Sequence, residues 1–454
     1  MRIHFIAIGG AAMHQLAIAL HLNGNVISGS DDEIFDPALS NLRKYGLIGE
    51  QYNWNPEKIS KEIDLVILGM HARSDNPELI KAQELNLDIV SFPEFVYRQS
   101  RNKKRVVIGG SHGKTTITSM IMHVLKECGL PFDYLVGSRV QGFDVMVSLS
   151  EKNDLIVIEG DEYLSSCLDP RPKFHHYHPD IAVISGIEWD HINVFPEFEN
   201  YLQAFGIFAA SVPEQGSIIY CHEDINVANV MQRCPSKAEH IPYTALPHRN
   251  DGESFSVMHQ SVPVPVNVFG EHNMLNMSAA LEVCRKIGIA DESFFAAIAS
   301  FHGAARRLEL IHESDGLRIF RDFAHAPSKL RATVKAVRSR YPDDQLVAVF
   351  ELHTFSSMNG KFLPHYAGAL DSADVAAVYF SHHAFELKKL TPFTDDEIRN
   401  GFTRNDVHIL HNPDELFGMI AVRAEKPVSI LLMSSGNFDN TNFEKIPLLW
   451  QENI

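Results

Sequence analysis

The sequence predicts an α/β chain of three blocks, each a largely parallel sheet covered by helices. Continuous short apolar runs recur along the chain, separated by stretches of helical spacing, the pattern of strands buried on both faces. The 454 residues are enough for about three domains at roughly 150 residues each. Two of the runs lead directly into glycine turns followed by helical spacing.

In the first block the apolar runs are Ile3–Ile8, Val26–Ile27, Leu65–Leu68 and Ile89–Val90. The opening "MRIHFIAIGGAAMHQLAIALHLNG" is apolar enough for a signal peptide. However, no cationic segment longer than Arg2 precedes it, and His14 and Gln15 interrupt it. It reads instead as strand, glycine turn and helix, with Gly9, Gly10 and Ala11 at the turn and Ser30 and Asp31 after the next strand. Asp31 lies about 20 residues on, where a nicotinamide-dependent oxidoreductase would hold its ribose. Against that reading, Gly9 and Gly10 are adjacent and the third glycine of G-x-G-x-x-G is absent. The basic stretch "RQSRNKKR" (Arg98–Arg105) reads as a linker.

The second block has runs at Val106–Ile108, Leu155–Ile158 and Ile181–Ile184. His248–Gln260 reads as loop or hairpin, and a helix carrying Ala279, Ala280, Val283 and Cys284 follows. The third block begins near Ile311, with strands at Ile319–Phe320, Leu346–Phe350, Val375–Phe380 and Val428–Met433.

A formal charge of −17, from 40 basic and 57 acidic side chains, argues against a broad nucleic-acid or anionic-membrane surface. A local cationic pocket stays compatible with it. Five scattered cysteines without C-x-x-C argue against a disulfide framework and for a reducing, cytoplasmic setting. No run of 18 apolar residues suggests a membrane span.

The most informative stretch is "VVIGGSHGKTTITSMIMHVLKECG", Val106–Gly129. An apolar run leads into Gly109, Gly110 and Gly113. Ile117, Met120, Ile121, Val124, Leu125 and Cys128 then recur at helical spacing, and Gly129 stops the helix. A glycine turn between strand and helix presents free N–H groups and the positive helix end to an anion. Gly110, Ser111, His112, Gly113, Lys114, Thr115 and Thr116 therefore form a phosphate loop, shortened because Ile108 stands where the full pattern has glycine. In this reading Lys114 is an exposed ligand of the β/γ-phosphates and Thr115 binds Mg²⁺.

Acids follow two other apolar runs: Glu159, Asp161 and Glu162 in "IEGDEY", and Glu188, Asp190 and His191 in "GIEWDHIN". Ligands in parallel sheets bind beyond the carboxyl ends of strands, and carboxylate with nucleotide phosphate is a usual Mg²⁺ setting. Taken singly, each reads as a solvated or satisfied loop residue, and it is their joint placement at strand ends that points to a metal.

The motifs "GGSHGKTT", "IEGDEY", "GIEWDHIN", "FGEHNMLNMSAA", "GAARRLEL" and "RDFAHAPSKLRATVKAVR" occur in an order that resembles the Mur ligases, ATP-dependent amide-forming enzymes of bacterial cell-wall precursors. The resemblance covers nearly the whole chain. It implies Rossmann-like N- and C-terminal domains around a P-loop ATPase domain, with a UDP-sugar domain at 1–104, an ATP domain at 105–310 and a C-terminal domain at 311–454. It further implies ATP and Mg²⁺, and UDP-N-acetylmuramate bound at Gly9, Gly10, Ala11, Ser30 and Asp31.

By the same resemblance Thr115, Glu159 and His191 bind the metal, and Lys114 and Arg307 meet the phosphates, with Arg306 as the alternative to Arg307. Asn273 of the His272–Asn273 pair contacts adenine, and Asp322 and His325 close over the nucleotide. The stretch "DPRPKFHHYHPDIAVISGIEWDHINVF" resembles the branch that adds the tripeptide L-Ala-γ-D-Glu-meso-diaminopimelate. The branch that adds L-alanine is the alternative within the family. His353, Ser356 and Lys361 are candidates for acceptor recognition. Several family members carry a carbamylated lysine downstream of the metal histidine, but "INVFPEFENYLQAFGIFAASVPEQG" has no lysine. A non-enzymatic ATP-binding switch is a further reading, distinguishable by phosphate release that requires both carboxylate and amine.

Overall fold

The computed structural model describes residues 1–452 except His191, Glu253, Asp315 and Lys426. The chain forms two compact units. One comprises Met1–Ile187, Glu199–Thr244 and Ser278–Ala297, and the other Glu188–Phe198, Ala245–Met277 and Ile298–Ile454.

The first unit contains two sheets. The smaller has the order Val26–Ser30, Arg2–Ile6, Leu65–Leu68, Ile89–Ser91, all parallel. Ile6 pairs with both Ser30 and Leu68, so the carboxyl ends of these three strands are level. The glycine turn leads into the helix Ala11–Leu22, as its spacing predicts. The larger sheet runs Glu239–Tyr243, Ser217–Cys221, Ile181–Ile184, Lys104–Gly109, Leu155–Glu159, Asp133–Leu135, Val147–Ser148. It is parallel except for its last edge pair. Lys104–Gly109 is central, and Val106, Val107 and Ile108 are fully buried, which explains a continuous apolar run.

The expected linker Arg98–Arg105 is ordered secondary structure. Arg98 and Ser100 belong to the helix Phe92–Ser100, and Lys104 and Arg105 belong to the next strand. Arg98 bonds Asp88 and Glu94. Arg105 donates to the carbonyls of Ser100, Arg101 and Lys103. Arg105 thus satisfies carbonyls at a helix C-terminus, where cations are favoured.

The second unit contains a three-stranded antiparallel sheet, His248–Asn250, Phe255–His259 and Val262–Pro265, where the sequence suggests a hairpin. Its larger sheet has the order Glu309–Ser314, Leu317–Asp322, Val428–Met433, Gln345–Glu351, Val375–Tyr379, His408–Leu410. Only the first pair is antiparallel. Val428–Met433 is buried along its whole length. Leu317, Val347, Ile430 and Leu432 share a core with Leu416 and Ile420 of the helix Pro413–Arg423. Both large sheets are of the doubly covered α/β type that the apolar runs predict.

Candidate active site

The phosphate loop leaves the central strand at Gly109, and the helix Lys114–Glu127 begins four residues beyond Gly110. Gly110 has φ 139°, and a Cβ there would lie 2.1 Å from Ser185 Oγ, so the position admits only glycine. Gly113, at φ 79°, precedes the helix. The Ser185 hydroxyl donates to the carbonyl of His112. The N–H of Ser111 donates to the carbonyl of Gly186 at 2.9 Å. The His112 ring lies against Gly186, where a Cβ would approach it to 2.1 Å. The loop is thereby fixed onto the end of the neighbouring strand Ile181–Ile184. Its helix start offers N–H groups that have no intrahelical acceptor. Thr115 and Thr116 lie in the first helical turn and are buried.

Lys114, expected to be exposed, is largely covered: its side chain retains 14% exposure and pairs with the fully buried Glu162. Tyr201 donates to the other oxygen of Glu162 at 3.1 Å. A buried carboxylate needs a cation and donors, and this one takes the loop lysine. Burial lowers the Lys114 pKa, but Glu162, Asp161 and Glu159 outweigh burial and raise it overall. Thr115 donates to Glu159 Oε1 at 2.8 Å, and the N–H of Gly137 donates to Glu159 Oε2 at 2.7 Å. Asp161 pairs with Lys173 at 2.6 Å. Thr115 and Glu159 together present hard oxygen donors of the kind Mg²⁺ takes. Among the described residues no group of three or more His, Cys, Asp or Glu could hold a metal, and His191 lies outside the described residues.

At the other glycine turn the structure brings together the residues expected there. The N–H groups of Ala7 and Ile8 donate to the Ser30 carbonyl at 3.0 and 3.1 Å. The Gly9 N–H donates to Asp31 Oδ2 at 2.7 Å. Gly10 is the cap residue of the helix that starts at Ala11. A Cβ on Gly9 would come within 2.8 Å of Ile34 and 2.9 Å of Asp31. Burial, then the bond to the Asp32 side chain, push the Asp31 carboxyl up to about 7.

In the second unit Asp322 is buried at a strand end and accepts N–H groups from Leu308 at 2.5 Å and Ala324 at 2.7 Å. That holds the turn carrying Arg306 and Arg307, whose residues 306 and 308 adopt φ 59° and 48°. The Arg307 guanidinium stacks 4.6 Å over Phe323. Arg306 donates to the carbonyls of Ser434 and Gly436. Burial, with Arg321 and Arg307 nearby, lowers Arg306 to about 10, so it stays charged near neutrality. His325 Nε2 lies 3.2 Å from Asp190 and 3.3 Å from Lys329. Burial first, then Lys329, lower its pKa. His272 and Asn273 open the helix Glu271–Lys286, and the Asn273 amide donates to the Phe269 carbonyl at 2.8 Å.

The acceptor candidates separate. His353 lies 3.7 Å from Glu351, and Lys388 donates to its carbonyl at 2.6 Å. Ser356 is buried, Lys361 is exposed, and no described hydrogen bond links either to His353. The buried Glu351 instead accepts from Ser434 and from the Phe438 N–H. Sequence reasoning missed that pair. Its signal was an acid at the end of an apolar run, the same pattern as Glu159.

Three family profiles match: the Mur ligase family catalytic domain at residues 2–104, the Mur ligase middle domain at 108–284, and the Mur ligase glutamate ligase domain at 306–436. The chain is 30% identical over 448 residues to the UDP-N-acetylmuramate–L-alanyl-γ-D-glutamyl-meso-2,6-diaminoheptandioate ligase of Escherichia coli, covering 96% of each chain. It is 32% identical over 391 residues to the UDP-N-acetylmuramate–L-alanine ligase of Paenarthrobacter aurescens, covering 83% of this chain and 82% of that one. The solved UDP-N-acetylmuramate–alanine ligase of Thermotoga maritima shares the fold, with a TM-score of 0.75 at 20% identity over the whole of both chains. The chain belongs to the Mur ligase family, whose members are ATP-dependent ligases that form amide bonds.

Proposed function

We propose that the chain joins the carboxylate of UDP-N-acetylmuramate to the amine of L-Ala-γ-D-Glu-meso-diaminopimelate, releasing ADP and phosphate, in the reuse of wall peptide. The observation that carries this reading is the end-to-end match to the Escherichia coli tripeptide ligase, 30% identical over 96% of each chain, where L-alanine ligases matched over the same 96% of this chain are 27% or 28% identical. Addition of L-alanine is the second reading, favoured by the similar identity of the Paenarthrobacter aurescens relative. We assign the UDP sugar to residues 1–104, ATP to 105–310, and acceptor and nucleotide contacts to 311–454. A UDP sugar and ATP as substrates put the reaction in the cytoplasm.

A carboxylate does not condense with an amine in water without activation. In this reading it attacks the γ-phosphate, ADP leaves, and the acyl phosphate is then opened by the peptide amine. Carboxylate and triphosphate repel one another, so the step depends on fixed positive charge and oriented N–H groups. The loop N–H groups, Lys114 and Arg307 supply these. Thr115 and Glu159, with His191, would hold Mg²⁺, which would neutralise phosphate charge. To meet the phosphates in this reading, Lys114 would exchange its pairing with Glu162 for them. By the family resemblance we assign Asn273, Asp322 and His325 to the nucleotide and His353 to the acceptor. The test is product mass. UDP-N-acetylmuramate, tripeptide and ATP should yield the condensed species with one ADP and one phosphate per bond. Condensation without ATP, or ATP hydrolysis without condensation, would refute the reading.

A further inference from the structure

The end of the strand Val26–Ser30 is held by a buried polar chain that the glycine turn does not require. His4, in the neighbouring strand, has no solvent exposure. Its Nδ1 lies 2.8 Å from Ser28 Oγ and its Nε2 lies 3.1 Å from Glu78 Oε2. Glu78, equally buried, lies in the first turn of the helix Pro77–Glu84 and accepts the Asn55 N–H at 2.8 Å on its other oxygen. Burial pushes the Glu78 carboxyl up, but bonds from His4, Asn55 and Ser30 outweigh it and keep the group low.

Asn55 caps the short 3-10 turn Pro56–Lys58. At the end of that turn Lys58 Nζ donates to Ser30 Oγ at 2.7 Å and to the Asn53 carbonyl at 3.1 Å. The preceding Tyr52 carbonyl accepts the Asp31 N–H at 3.0 Å. The His4–Glu78 strut therefore fixes segment 52–58, and that segment fixes Lys58. The ammonium sits one hydrogen bond from Ser30, whose carbonyl holds the glycine turn.

The charges at this strand end favour a role in binding. A diphosphate at the start of the helix Ala11–Leu22 gains about half a unit of positive charge from the helix dipole. It also meets Asp31 and Asp32. Lys58 is the ammonium that the described hydrogen bonds bring to this strand end. An ammonium has three donors, and the two described bonds leave one for a phosphate oxygen.

We propose that Lys58 binds the diphosphate of the UDP sugar and that His4 and Glu78 are positioning residues that hold it there. The inference rests on the reading of the first glycine turn as the UDP-sugar site. The test is calorimetry of the full chain with UDP and with uridine, alongside steady-state kinetics. Lys58→Met should weaken UDP about tenfold, as loss of one charge-assisted contact. It should leave uridine affinity and the KM for ATP unchanged, and Lys58→Arg should keep most of the UDP affinity. His4→Leu should raise the KM for the UDP sugar without lowering kcat, and His4→Gln should recover part of the loss. A Lys58→Met chain that binds UDP as tightly as its parent, or loses UDP and uridine equally, overturns the inference while the UDP-sugar reading stands. A parent chain that does not bind UDP at all overturns both.

Discussion

Lys114, which opens the helix behind the phosphate loop, is ion-paired with Glu162, a carboxylate with no solvent exposure that also accepts from Tyr201 at 3.1 Å. The pair couples the loop lysine, which we assign to the phosphates, to the core of the unit. Removing Lys114 therefore has two effects that must be separated. Lys114→Met should lower kcat by at least about 10²-fold and destabilise the chain by about 3 kcal/mol, since the buried Glu162 loses its lysine. Adding Glu162→Gln should recover most of the stability, read as the urea midpoint, and none of the turnover. Recovery of both would mean that Lys114 serves only the fold.

Gly186 is where the loop histidine rests. Gly186→Ala places a Cβ 2.1 Å from the His112 ring, which must displace that ring from its seat under the loop. The expected result is a KM for ATP raised about tenfold, with a stability cost of about 1–3 kcal/mol. UDP binding should not change. Unaltered ATP affinity would contradict the described seating of the loop.

Glu159 takes both the Thr115 hydroxyl and the Gly137 N–H. Glu159→Ala should raise the Mg²⁺ concentration for half-maximal turnover by at least about tenfold. Activity with unchanged Mg²⁺ dependence would remove the Thr115–Glu159 metal assignment.

Asp31 gives a pH dependence with a defined sign. Its carboxyl rises from 3.8 to about 7 on folding. Between those values the folded chain holds the extra proton, so this group's contribution to stability is full below the lower value and is lost as pH rises towards the upper one. Asp31→Asn removes that loss, so its urea midpoint relative to the parent should improve between about pH 4 and pH 7.5. Affinity of the parent for the UDP sugar, an anion, should fall over about pH 6 to 8 and flatten in the variant. Parallel pH profiles for both proteins would show that Asp31 does not titrate there.

Sequence legibility divides by distance along the chain. The phosphate loop, its strand and its helix were legible because glycine spacing and apolar periodicity are local properties. The turn at Gly9 and Gly10 was legible for the same reason. The partners of those residues were not. Tyr201 reaches Glu162 from 39 residues away and Ser434 reaches Glu351 from 83, and no local pattern encodes such meetings. The edge strand Glu239–Tyr243, with its proline and half-exposed faces, has no continuous apolar run and passed unread. Arg98–Arg105 read as linker because its charge was legible while the carbonyls it satisfies were not.

The central claim is the identity of the amine. A tripeptide brings carboxylates that L-alanine lacks, and a site built to bind them discriminates strongly against the shorter amine. The most direct measurement is phosphate release with UDP-N-acetylmuramate and ATP at matched concentrations of the two acceptors, with product masses recorded. The account predicts kcat/KM for L-Ala-γ-D-Glu-meso-diaminopimelate at least about 10²-fold above that for L-alanine. Efficient turnover with L-alanine and none with the tripeptide would contradict it.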